Sequence, residues 1–98
     1  MAKKRERLEV IHDILAAVRD HGNKIKPTRL LHASNLSPQM FRDYIEELLR
    51  KGFLTEQILE GQGFRDGEAK KQYSLKTKGF EFLERYKTII ELIENFGL

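Results

Sequence analysis

The stretch Pro27-Thr28-Arg29-Leu30-Leu31-His32-Ala33-Ser34-Asn35-Leu36-Ser37-Pro38-Gln39-Met40-Phe41-Arg42-Asp43-Tyr44-Ile45-Glu46-Glu47-Leu48-Leu49-Arg50-Lys51-Gly52 contains two helix starts and two helix stops. Pro27 suits the first turn of a helix, where its missing N–H does no harm. Leu30, Leu31 and Ala33 give this first segment a small apolar face, and the segment ends near Ser34-Asn35. Ser37 is a good N-cap, and Pro38 follows at the first helical position. Met40, Phe41, Tyr44, Ile45, Leu48 and Leu49 then recur at helical spacing and define the face expected to meet the core. Arg50 and Lys51 complement the negative end of the helix dipole, and Gly52 terminates the segment. Only Ser34-Asn35-Leu36 separates the two helices, with Leu36 placed to plug the angle between them. A short helix, a tight turn and a longer second helix are the elements of a helix-turn-helix.

The flanking sequence extends this motif in both directions. Towards the N-terminus, Leu8, Ile11, Leu15 and Val18 recur at alternating spacings of three and four, and Val10 and Ile14 widen the stripe. The pattern predicts an amphipathic helix from roughly Lys4 to Asp20, stopped by Gly22-Asn23. Towards the C-terminus, 53–59 and 70–75 read as strands. Between them, Glu60-Gly61-Gln62-Gly63-Phe64-Arg65-Asp66-Gly67-Glu68-Ala69 reads as a hairpin loop, too long for a two-residue turn. Thr77 is expected to cap a last helix running to about Phe96. At about 100° per residue, its apolar residues Phe82, Leu83, Tyr86, Ile89, Ile90, Leu92, Ile93 and Phe96 cover about half the circumference. A helix of about 20 residues is about 30 Å long. A domain this small cannot cover such a helix alone, so a second packing partner is expected. The fold class is mainly α with a small β-hairpin: a winged helix-turn-helix over 1–76, then a long C-terminal helix over 77–98 serving as a dimerisation element.

Composition narrows the function classes. Ninety-eight residues fit one domain with a modest core. With no Cys, there is no disulfide framework, thiolate nucleophile or Cys-based zinc site. No apolar run approaches the ~18 residues that suggest a membrane span. The basic start, Met1-Ala2-Lys3-Lys4-Arg5-Glu6-Arg7, is not followed by a signal-peptide apolar block. A soluble protein of the cytoplasm, associated with the nucleoid, is the expectation. The formal net charge of +3 is unevenly spread. Residues 1–31 hold eight Lys and Arg against four Asp and Glu; residues 32–64 hold three against five; residues 65–98 hold seven against six. The positive excess at the N-terminal end, with a smaller concentration over 65–78, suits a polyanion. Surface Lys and Arg also serve solubility alone.

Short motifs in this order are similar to a known family. Ala2-Lys3-Lys4, Leu8-Glu9-Val10-Ile11-His12-Asp13-Ile14-Leu15, Asn35-Leu36-Ser37, Tyr44-Ile45, Leu48 and Tyr73-Ser74-Leu75-Lys76-Thr77-Lys78-Gly79 resemble the archaeal winged-helix regulators that include the small "ten-a" chromatin-type proteins. The resemblance spans nearly the whole chain. It implies double-stranded DNA binding and dimerisation through an antiparallel coiled coil of the C-terminal helices. This chain departs from those chromatin-type members in having a longer wing and a shorter last helix.

Candidate contacts follow from the motif. The second helix of a helix-turn-helix enters the major groove, and its N-terminal residues reach base edges. Opposite the apolar face lie Gln39, Arg42, Asp43 and Glu46; Gln pairs with adenine and Arg with guanine. The carboxylates of Asp43, Glu46 and Glu47 oppose a tight fit beside phosphates. Lys24, Lys26 and Arg29 lie around the start of the preceding helix, where phosphate meets side-chain charge and helix N–H groups. Ser37 could offer its N–H or hydroxyl to phosphate, although capping alone explains it. Arg65, Lys70 and Lys71 lie on the wing. Phe82, Tyr86, Ile89, Ile90, Ile93 and Phe96 are the candidate homodimer interface. His12, His21 and His32 form no ligand-like cluster, so no metal is expected. No catalytic constellation, cofactor motif or small-molecule substrate site is legible, and the chain is not expected to be an enzyme. The competing expectation is a protein-interaction winged helix that binds no DNA.

Overall fold

The computed structural model of the chain describes residues 6–59 and 70–97. In chain order the elements are α1 (Arg7–Asp20), α2 (Pro27–Ser34), α3 (Pro38–Arg50), β1 (Leu54–Leu59), β2 (Lys70–Leu75) and α4 (Thr77–Asn95). This is the order of a winged helix: three helices, a two-stranded antiparallel hairpin and a C-terminal helix.

The turn chemistry explains the boundaries. Gly22 and Asn23 both adopt positive φ and end α1. Asn35 sits in the left-handed region at φ 53° as the C-cap of α2, and this single residue redirects the chain into α3. Ser37 then accepts the Met40 N–H at 3.3 Å, satisfying one free donor of the first turn. Thr77 does not cap α4: it is the first helical residue, Lys76 takes the N-cap position, and no side chain caps this end. The last helix also ends at Asn95, one residue short of expectation. Lys4, where the first helix was expected to begin, lies outside the described residues, as does the wing loop over 60–69.

The strands pair in the register Leu54↔Leu75 through Leu59↔Lys70. β2 has a second neighbour that periodicity did not reveal. Ile25, in the α1–α2 connection, bridges antiparallel to Tyr73, accepting its N–H at 2.8 Å and donating to its carbonyl at 3.2 Å. Beside it, Asn23 Oδ1 accepts the Leu75 N–H at 2.6 Å. A one-residue strand thus ties the first two helices to the wing.

Ile14, Leu15 and Val18 of α1 are wholly buried and form the centre of the core with Ile25, Leu30, Leu48 and Leu54. Leu36 packs against its edge. Three residues of the expected apolar faces lie elsewhere. Met40 is 46% exposed, because at about 100° per residue it points about 100° away from the mean direction of Phe41, Ile45 and Leu48. Leu8 is 58% exposed, on the flank of α1 rather than its buried stripe. Ala33 of α2 is exposed as well.

α4 joins the core only through its first turns, where Gly79 and Leu83 are buried. Gly79 approaches the chain just before the wing. A Cβ built at this position would lie 2.6 Å from the Phe53 carbonyl oxygen, which also accepts the Lys76 N–H at 3.0 Å. Any side chain at 79 must push backbone against backbone. Gly79→Ala is therefore expected to destabilise the fold by about 1–3 kcal/mol, as overpacking does. Urea unfolding followed by circular dichroism measures this, and an unchanged midpoint would contradict the contact.

Candidate nucleic-acid interface

Three groups of polar side chains stand clear of the core. The first surrounds the start of α2. Lys24, Lys26 and Arg29 are exposed, and Lys26, Thr28, Arg29 and His32 line an open depression of about 610 Å³. Leu30 and Ser34 face inward, the Ser34 hydroxyl donating to the Leu30 carbonyl at 2.6 Å, so the opposite side of this two-turn helix must face outward.

The second group is on α3. Gln39, Arg42, Asp43 and Glu46 are exposed, while Phe41, Ile45 and Leu48 anchor the helix. Ser37 is exposed, and its hydroxyl oxygen is engaged in the cap. Gln39 Nε2 donates to Asp43 Oδ1 at 3.1 Å, one helical turn along. Met40 adds an apolar side chain to the rim of this surface. Sequence spacing missed it by assigning Met40 to the core; an exposed apolar group at the start of such a helix is suited to a thymine methyl.

The third group is on the hairpin. Lys71 Nζ lies 3.1 Å from Glu56 Oε1, a diagonal cross-strand pair that raises the lysine pKa through the Glu56 hydrogen bond and charge. Lys70 begins β2, but its side chain lies outside the described residues, as does Arg65. The second and third groups face one another across a cleft of about 390 Å³, lined by Phe41, Arg42, Ile45 and Glu46 from α3 and by Glu56 and Lys71 from the hairpin. Arg42 and Lys71 thus share one opening. Among the described residues Arg42, Lys26 and Arg29 make no ion pair.

The acidic residues of α3 are not equivalent. Glu47 is half-buried and turned towards α1, where its Oε1 pairs with the Arg7 guanidinium; its Oε2 accepts from Lys51 Nζ at 3.1 Å. Hydrogen bonds from Arg7 and then Lys51 hold its carboxyl below the usual range. The Arg7 guanidinium also lies 5.7 Å from the Tyr44 ring centroid. Two cations therefore neutralise Glu47, and only Asp43 and Glu46 remain as outward carboxylates.

The candidate dimer residues divide along α4. Phe82 and Tyr86 are half-buried within the chain. Phe82 packs edge-on against Phe53 at 6.0 Å, and Tyr86 stacks on His12 with ring centroids 4.3 Å apart. Burial raises the Tyr86 pKa, assisted by Glu9, Asp13 and Glu6, which places the phenol beside the N-terminal half of α1. Beyond that contact Ile89, Ile90, Ile93 and Phe96 are all exposed, with Phe96 at 72%. Among the described residues no cluster of His, Asp and Glu could hold a metal ion, and no helix is long and apolar enough to cross a membrane.

This arrangement defines a winged-helix protein with polar and cationic side chains on its second motif helix and its hairpin. The chain belongs to the winged helix-turn-helix family, whose profile matches residues 4–94. It is 32% identical over 90 residues to an uncharacterized protein of Methanocaldococcus jannaschii. That match covers 92% of this chain and 36% of the relative, so the chain spans about a third of that protein's length. Among solved structures it is similar to Sso10a-2, a DNA-binding protein from Sulfolobus solfataricus, with a TM-score of 0.70, 22% identity, and coverage of 94% of this chain and 85% of that one. It is also similar to MepR, a transcription regulator of the Staphylococcus aureus multidrug efflux pump MepA, with a TM-score of 0.69, 16% identity, and coverage of 89% and 60%.

The Glu47 pairing has a pH signature. A carboxyl whose folded-state pKa is depressed contributes stability above its unfolded pKa and loses that contribution as pH falls through the folded value. The stability gap between the native chain and Glu47→Gln should therefore be present at pH 7 and shrink below the usual carboxylate range, near 4.5. Urea titrations at pH 7 and pH 3 measure it; a gap that is constant or larger in acid would contradict the pairing. Because the pair is solvent-accessible, the gap should also diminish with added salt.

Proposed function

We propose that this chain binds double-stranded DNA as a homodimer, acting as a transcription regulator or a chromatin-type architectural factor at the nucleoid rather than as an enzyme. The observation that carries this is the shared opening between Arg42 of α3 and Lys71 of the hairpin. One cation is on the helix that enters the major groove in this motif; the other, Lys71 on the wing beside it, is held by Glu56 at 3.1 Å in the free chain and exchanges that carboxylate for phosphate on binding. The cationic start of α2, with Lys24, Lys26 and Arg29, supplies phosphate contacts, and Arg65 and Lys70 are further candidate cations on the wing. Two solved relatives support the assignment: Sso10a-2 is a DNA-binding protein, and a MepR mutant has been solved bound to an oligodeoxyribonucleotide.

On this proposal DNA affinity falls with salt along a log–log slope of roughly −4 to −8, the release expected for about five to nine phosphate contacts. Arg42→Ala should weaken the preferred site by about 1–3 kcal/mol, whereas Lys71→Ala should reduce the salt slope without changing site preference. Fluorescence anisotropy on one selected and one scrambled duplex, at two salt concentrations, reads both effects. Affinity indifferent to salt would favour the protein-interaction alternative, for which the outward Asp43 and Glu46 are the supporting feature.

The dimer proposal assigns DNA contact to 1–76 and dimerisation to 77–98. Gly79, Phe82, Tyr86, Ile89, Ile93 and Phe96 repeat at alternating spacings of three and four, the seam of a left-handed helix pair. The inner half of that seam packs on the domain itself; Ile89 at 54% exposure, Ile90, Ile93 and Phe96 continue it without cover. Leu8, one turn before His12 on the same flank of α1, extends the apolar surface. A second α4 running antiparallel buries these residues. Ile89→Glu combined with Ile93→Glu should yield folded monomers, since paired carboxylates lose hydration at the contact. Sedimentation at micromolar concentration decides this, and a monomeric native chain would refute the dimer.

A further inference from the structure

We propose, resting on the DNA-binding assignment above, that Gln39 reads an adenine in the major groove and that Asp43 is the positioning residue that fixes its amide for that base. Gln39 lies in the first turn of α3 and is exposed, as is Asp43, and Nε2 of the one donates to Oδ1 of the other at 3.1 Å. A carboxamide has two N–H donors and one carbonyl acceptor. In the proposed complex Asp43 takes one N–H, and the second N–H and Oε1 meet the base.

One donor beside one acceptor is the complement of adenine, which presents N7 as acceptor and N6–H as donor on its major-groove edge. Guanine presents two acceptors there, N7 and O6, so Oε1 would confront O6. An unrestrained glutamine relieves that conflict by swinging its amide until both Nε2 hydrogens face the two guanine acceptors and Oε1 points away. The carboxylate of Asp43 opposes that swing, because it already holds one of those hydrogens. The pair therefore gives selectivity that neither residue has alone.

This also accounts for an acidic residue on a helix that approaches phosphates. Glu47 is neutralised by Arg7 and Lys51, but Asp43 has no cation among the described residues and so retains its electrostatic cost to general DNA affinity. Orientation of Gln39 offsets that cost at one base and raises the contrast between right and wrong sites.

The test uses the full-length chain and its preferred duplex, selected from a random pool. At each adenine of that duplex, 7-deazaadenine removes the N7 acceptor and purine removes the N6 amine. The native chain should lose roughly 5- to 150-fold in affinity at one adenine per half-site with either analogue. Gln39→Ala should lose that sensitivity while remaining folded by circular dichroism. Asp43→Ala should bind scrambled duplex as well as or better than the native chain, yet discriminate adenine from guanine at that position at least about fivefold less. Asp43→Asn, whose amide can turn to donate to Oε1 and so fixes no single orientation, should discriminate as poorly as Asp43→Ala while keeping the gain in general affinity, and Asp43→Glu, which keeps an acceptor-only carboxylate, should retain the discrimination; a purely structural role would not separate these two readouts. Three outcomes overturn the inference while leaving DNA binding intact: no adenine sensitive to the analogues, sensitivity that survives in Gln39→Ala, or unchanged discrimination in Asp43→Ala. Failure of the native chain to bind any duplex would overturn both this inference and the DNA-binding assignment.

Discussion

The backbone pairing of Ile25 with Tyr73 is the constraint on which the geometry depends. It is two hydrogen bonds, reinforced by the Leu75 N–H to Asn23 Oδ1, and it joins a connection between helices to the middle of β2. Buried peptide groups must find partners, so β2 cannot shift relative to Ile25 without leaving both unsatisfied. Ile25 is 2% exposed, and its side chain sits among α1, α2 and the hairpin. Since α3 follows α2 after only Asn35-Leu36-Ser37, with Asn35 left-handed, the same bridge fixes α3 against the wing. The opening shared by Arg42 and Lys71 is thereby tied to the pairing at Tyr73, two residues along β2 and itself part of the lining.

Much of this was legible in the residues, and the omissions have a common cause. Helix starts at Pro27 and Ser37, stops at Gly22-Asn23 and Gly52, and the β2 boundaries all follow from local backbone chemistry, which a single chain states directly. The Ile25 bridge was not legible because one residue has no period: its partner lies 48 positions away and only the tertiary fold brings them together. Met40 was misplaced because helical spacing identifies an apolar arc but not its centre, which Phe41, Ile45 and Leu48 set only once the other elements are in position. The pairing of Glu47 with Arg7 crosses between helices and was equally out of reach, so all three carboxylates of α3 looked alike from sequence. For the candidate site, residue types and their helix were legible; which charges were already neutralised was not.

That distinction changes the electrostatic reading of α3. Counted as sequence, its 13 residues carry Arg42 and Arg50 against Asp43, Glu46 and Glu47, a net of −1. Counted as surface, Glu47 is matched by Arg7 and Lys51, which arrive from outside the helix, and the remaining residues balance. On the DNA-binding proposal, a near-neutral helix beside the cationic start of α2 divides the labour: phosphates are met at the flank, and the centre is left for hydrogen-bond donors and acceptors that distinguish bases. A uniformly basic helix would bind more tightly and select less, because the counterion-release term is the same for every sequence.

The projecting half of α4 carries the argument from one domain to two. A core of this size leaves little stability in reserve, so an uncovered run of Ile89, Ile90, Leu92, Ile93 and Phe96 is a poor arrangement for an isolated monomer. In the dimer proposed here, a two-fold axis through paired α4 helices carries one copy of α3 to each side. The rigid path from that axis to the reading face runs through Gly79, whose close approach to Phe53 holds α4 against the strand ends, and then through β2 to Ile25. No flexible linker intervenes among the described residues, so the distance between the two α3 helices is set by packing. A two-fold protein with fixed spacing demands a palindromic site whose half-sites lie about one helical turn of DNA, roughly 34–36 Å, or a multiple of it apart. Selectivity for one adenine per half-site is then applied twice, and the penalty for a wrong base is incurred in both halves.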